Sequence, residues 1–166
     1  MTLRVLPLAL FVLAGCQAEA PEPPPAPVAA APDVARAPEA TDAFAPVAPA
    51  GGTTGLFLTI TGGSVPDTLL GASYAGAERV EVHETYDAGD GMRGMREIEA
   101  LPVAAADTVR LAPGSYHVML IGLREAIAVG DTLAADLRFA RGGTVPVRAV
   151  VRSLDAMPHG GHRETP

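Results

Sequence analysis

From residue 53 onward the chain runs in short apolar stretches, many alternating with polar positions, broken by Gly, Pro and Asp. This period of two predicts strands over 56–61, 68–74, 79–84, 95–101, 107–111, 116–122, 132–140 and 145–152. Turn signals lie between them at Gly62-Gly63, Ala88-Gly89-Asp90-Gly91, Pro113-Gly114, Gly130-Asp131 and Gly142-Gly143. No long stretch after the first apolar run keeps a 3.6-residue period. Short strands at this spacing predict an all-β domain over 53–152, an antiparallel Greek-key sandwich or barrel.

The ends follow other patterns. Arg4 precedes an apolar run over 5–14, too short to span a bilayer. Leu13-Ala14-Gly15-Cys16 closes it and has the form of a bacterial lipobox. Residues 1–15 are therefore expected to be a lipoprotein signal peptide, and Cys16 the acylated first residue of the mature protein. Gln17, rather than aspartate, follows the cysteine, a pattern that favours export to the outer membrane. Residues 16–52 are dominated by Ala, Pro and acidic residues and read as a semi-extended tether. Residues 153–166 are polar and Gly-rich and read as a tail.

Composition narrows the function. All twelve basic residues are arginine and the net charge is −7, without a basic run, which argues against nucleic acid and against docking on anionic lipid. Cys16 is the single cysteine, so zinc ribbons and CxxC redox chemistry are excluded. No catalytic triad order, phosphate loop or dinucleotide fingerprint is present, and the chain is not expected to be an enzyme.

Metal chemistry remains, with His, Met, Asp and Glu as available donors. His117 and Met119 are two apart on a predicted strand and leave the same face, while Tyr116, Val118 and Leu120 turn inward. His83 lies on the face opposite Val80 and Val82, and Met95 follows a Gly-rich segment. Imidazole and thioether donors select Cu(I) over harder ions. Glu81, Glu84 and Asp87 read as a solvated acidic face, and Arg93 and Arg96 as solvated charges flanking the site. Met157, His159 and His162 form a possible auxiliary copper arm in the tail.

Taken together, Val80-Glu-Val-His83-Glu84, Met92-Arg-Gly-Met95-Arg96 and Tyr116-His117-Val-Met119 resemble the PCu(A)C family of periplasmic copper chaperones. The twenty-one residues between Met95 and His117 match the family's spacing, whereas the eleven between His83 and Met95 are one more than usual. The extra residue leaves Met92 or Met95 as the ligand, with Met95 favoured by its distance from His117. The resemblance implies a cupredoxin-like β-sandwich binding Cu(I) through His83, Met95, His117 and Met119, with Met92 as a spare. It implies delivery to the CuA site of cytochrome c oxidase, directly or through a Sco-type partner, and the lipobox at Cys16 makes the carrier an expected membrane-anchored extracytoplasmic lipoprotein. A copper-buffering lipoprotein without a client, or a purely structural one, are the alternatives.

Overall fold

The computed structural model describes residues 36–153. Cys16, the signal peptide and the tail residues Met157, His159 and His162 lie outside these. Among the described residues every regular element is a strand, as the alternation predicts: β1 Glu39–Pro46, β2 Thr53–Thr61, β3 Asp67–Ser73, β4 Ala77–Gly89, β5 Met92–Glu97, β6 Leu101–Val103, β7 Thr108–Leu111, β8 Tyr116–Leu123, β9 Thr132–Phe139 and β10 Gly143–Arg152. They form one ladder in the order β5-β4-β8-β7-β2-β1-β10-β9-β3-β6, with β8 also pairing β2. The first half of β2 pairs with β8 and its second half with β7. The inner sides share one apolar cluster, in which Leu56, Ile60, Leu69, Val118, Leu120 and Leu137 are fully buried. Each such leucine contributes roughly 2 kcal/mol relative to exposure.

The strand expected over 95–101 is broken, since β5 ends at Glu97 and Leu101 opens β6 on β3, and two further elements differ from expectation. β1 falls inside the stretch read as tether. It pairs antiparallel with β2 and parallel with β10, joining Phe44 to Val150 and Ala45 to Val151. Its inward residues are Ala43 and Ala45, whose small side chains carry too weak an apolar signal to mark a strand among so many alanines. The second difference is the β4–β5 hairpin. The segment read as a loop is extended to a two-residue turn at Asp90-Gly91, where φ is 53° and 73°. Both positive angles are those of a type I′ turn, which Asp-Gly favours because glycine reaches them without steric cost. Most of the hairpin's outer half is exposed, so no apolar alternation announced it.

Asp67, at the start of β3, locks the β9–β10 turn. Its buried carboxylate accepts N–H bonds from Thr68 (2.7 Å), Arg141 (2.9 Å) and Gly142 (2.7 Å). Burial raises the carboxyl pKa, but those N–H donors and the Arg141 charge outweigh it and hold the group below the usual aspartate range. Stability from this charge is complete above that range and is lost as pH falls through it toward the lowered folded value. Asp67→Ala should cost about 2 kcal/mol at neutral pH, since two turn N–H groups lose their acceptor. Asp67→Asn should flatten the acid limb of the stability curve. Urea unfolding across acid to neutral pH checks both, and a wild-type acid limb in the Asn variant would contradict the assignment.

Candidate metal centre

Strands β4 and β8 build the centre. Their antiparallel register sets His83 directly opposite His117, Val82 opposite Val118 and Glu81 opposite Met119. Directly opposed residues share a face, and alternate residues swap faces. Val82, Val118 and Leu120 therefore close the core, while Glu81, His83, His117 and Met119 stand together on the other side. The two imidazole centroids are 5.8 Å apart.

On the far side of β8, β2 supplies an apolar wall. Gly55 lies opposite Met119, and the Phe57 ring folds back across Gly55 so closely that a Cβ there would sit 2.7 Å from it. The same ring lies 6.2 Å from the His117 imidazole and 5.3 Å from Phe44. His117 is consequently buried, at 5% exposure, although it sits on the outer face of its strand.

Hydrogen bonds orient both imidazoles. His117 Nδ1 lies 3.0 Å from the Ser115 carbonyl, which also accepts the Thr85 N–H. A carbonyl only accepts, so Nδ1 of His117 carries the proton and Nε2 keeps the lone pair. His83 Nε2 lies 2.8 Å from Glu81 Oε2, and the second Glu81 oxygen lies 3.3 Å from Arg79. His83 Nδ1 is buried with no hydrogen-bond partner. Leaving such a group unpaired costs roughly 1–3 kcal/mol, so this nitrogen calls for a partner the polypeptide does not supply. Among the described residues no three His, Cys, Asp or Glu side chains gather into a metal-holding group. The face that carries the histidine pair also carries two thioethers, Met119 and Met95.

The methionines are placed unequally. Met119 is half-buried, two residues from His117 on the same strand and diagonal to His83. Met95 is 60% exposed and pairs with Thr85, so it shares the His83 face and is diagonal to His83 from the other side. Two strand spacings and four residues then separate it from Met119, roughly 16 Å between Cα atoms. Met92 is also 60% exposed but lies three positions from Met95 on one strand, which turns it to the opposite face. The structure thus gathers His83, His117 and Met119, brings Met95 to their rim within a strand rather than a loop, and leaves Met92 behind the sheet.

The charges read as a uniform solvated fringe divide between two faces. Glu84 and Arg96 pair at 2.8 Å behind the sheet, where Arg96 also stacks on Tyr86. Arg93 donates to the Gly114 carbonyl at 2.7 Å and ties the hairpin to the β7–β8 turn. Glu81 is not part of a solvated face: its side chain is 17% exposed and bonded to His83. Its i, i+2 spacing from His83 on a strand was the available signal. Nothing comparable in the sequence pointed to Phe57 or Gly55.

Residues 34–151 match the family described as "Putative lipoprotein LpqE-like". The chain belongs to this LpqE-like family, which is of PCuAC type. A protein of Leifsonia xyli subsp. xyli described as "Putative lipoprotein Lxx21020" is 33% identical over 93 residues, covering 55% of each chain, so the match spans about half the relative's length. Among solved structures, the copper-bound PCuAC domain from PmoF2 superposes with a TM-score of 0.57 at 24% identity, covering 70% of this chain and 92% of that one. The Cu(I) form of DR1885 from Deinococcus radiodurans gives 0.55 at 28% identity, covering 73% and 80%. These likenesses agree with the all-β, cupredoxin-like sandwich expected from the sequence. Within this LpqE-like chain, the pair at His83 and His117 is the most developed candidate centre among the described residues.

Proposed function

We propose that this chain is an extracytoplasmic Cu(I)-binding chaperone. The observation that carries the reading is the cross-strand pair His83–His117, with one buried imidazole nitrogen lacking a partner and the Met119 thioether beside it. Two neutral imidazoles and a thioether suit a soft monovalent ion. Met95, on the exposed hairpin of the same face, is the fourth ligand, and engages when the hairpin bends toward the pair. Solved structures of the same fold include copper-bound forms.

Delivery is favoured over storage. The ligands carry no charge, so the ion is held without the strong pairing of a thiolate trap. Met95 is open to solvent, where a partner's ligand can displace it first. An acylated Cys16 and the Ala/Pro-rich segment that follows would keep the carrier near a membrane client and raise its effective concentration there. The client is the CuA site of cytochrome c oxidase, reached directly or through a Sco-type protein. Mixing the Cu(I)-loaded protein with the apo CuA domain or the Sco-type protein, and following copper by mass spectrometry, tests this. Transfer to either supports delivery. Retention against both, with normal oxidase activity in a deletion strain at limiting copper, would favour buffering.

Three outcomes follow from the ligand set and the ends of the chain. Competition titration should find Met119→Leu weakened at least tenfold for Cu(I), Met95→Leu weakened less, and Met92→Leu unchanged. Wild-type affinity in a Met95→Leu/Met119→Leu protein would contradict the thioether assignment. Truncation after Ser153 should lower copper stoichiometry toward one by removing a weaker site at His159 and His162, with Met157 nearby. Equal stoichiometry with and without that tail would show it to be incidental. Mass spectrometry of the mature protein should find a diacylated Cys16 at the N-terminus; an unmodified cysteine would remove the anchor from the account.

A further inference from the structure

The two imidazoles are held by different acceptors through different nitrogens. On His117 the acceptor is a backbone carbonyl, Ser115 O, at Nδ1. On His83 it is a carboxylate, Glu81 Oε2, at Nε2. Glu81 is itself held: Arg79 lies 3.3 Å from its other oxygen, and its side chain is 17% exposed against 67% for Arg79. One carboxylate oxygen is thus engaged by a cation at the surface and the other by the imidazole beneath. The nitrogen left without a partner on His83 is Nδ1, which is fully buried.

We propose that Glu81, braced by Arg79, is a positioning residue of the centre: it takes the Nε2–H of His83 and commits that imidazole to bind copper through Nδ1, while Ser115 commits His117 to Nε2. The inference rests on the copper reading above and adds the nitrogen each histidine uses. A carboxylate accepts a hydrogen bond and cannot donate one, so Glu81 fixes both the tautomer and the ring orientation of His83. A ring flip would lose the charge-assisted bond and set a ring C–H, with no lone pair to offer, where Nδ1 now lies. Because the hydrogen bond already holds the ring by its other nitrogen, His83 need not turn when the ion arrives. Glu81 also adds a negative charge beside a cation whose direct ligands are neutral. The Arg79 contact holds the carboxylate on the outer nitrogen rather than letting it enter the ligand set as a hard oxygen donor. Outer partners of metal-binding histidines act in this way, and their loss commonly weakens metal affinity ten- to hundredfold.

The test is a long-range ¹H–¹⁵N correlation of the full-length apo protein at neutral pH, with the histidine rings labelled. His83 should be protonated at Nε2 and bare at Nδ1, and His117 the reverse. One equivalent of Cu(I) should then move the His83 Nδ1 and His117 Nε2 resonances. In Glu81→Leu the His83 ring should populate both tautomers, His117 should stay as it was, and Cu(I) affinity should fall about tenfold. Glu81→Gln keeps an acceptor oxygen and should recover most of that loss, which a general packing defect would not predict. Apo His83 protonated at Nδ1, or Cu(I) shifting its Nε2, overturns the proposal while leaving copper binding intact. Both tautomers as stated, with no Cu(I) taken up, overturns instead the copper reading on which it rests.

Discussion

Pairing of β4 with β8 in one register sets His83 against His117 and, one residue along, Val82 against Val118. A slip of β8 by a single residue would exchange its two faces, turning His117 into the apolar cluster and fully buried Val118 and Leu120 out to water. The inner valines and leucines therefore specify the outer imidazole pair, because the free energy that holds the core also fixes which residues meet on the other face. Packing on β2 extends the same control. Its register with β8 sets Gly55 beside Met119 and lets the Phe57 ring screen His117 from solvent.

The centre grades from rigid to exposed. His117 is buried between Phe57 and His83 and tied to the Ser115 carbonyl; His83 is tied to Glu81; Met119 is half-covered; Met95 stands on a hairpin whose outer half reaches beyond the core. Such a gradient suits a cargo that must be held and then released, since ligand exchange can begin at the exposed donor without disturbing the packed ones. The absence of cysteine from 17–166 fits the same purpose outside the cytoplasm, where paired thiols would close into a disulfide.

Much of this was legible in the sequence because it depends on period two. The His117-x-Met119 spacing and the alternation around Val80, Val82 and His83 gave the strands, their faces and the candidate donors. What was not legible depended on neighbours across the sheet. β1 is a strand because β2 and β10 flank it, and its inward residues, Ala43 and Ala45, are too small to announce it. Whether Met92 or Met95 faces the histidines could not be read from loop spacing once an extra residue was present. The Asp90-Gly91 turn makes the segment a strand, and strand parity separates the two residues. Glu81 looked like one of several surface acids until the fold gave it His83 and Arg79 as partners.

The central claim is that paired imidazoles and thioethers on one sheet face form a single Cu(I) centre. Methionine ε-methyl NMR during anaerobic Cu(I) titration addresses it most directly, because each thioether reports for itself. The account predicts that the Met119 and Met95 methyls shift together with the His83 and His117 rings and saturate at one equivalent, while Met92 stays unmoved. Saturation with the Met119 methyl unshifted, or with Met92 moving in place of Met95, would contradict it.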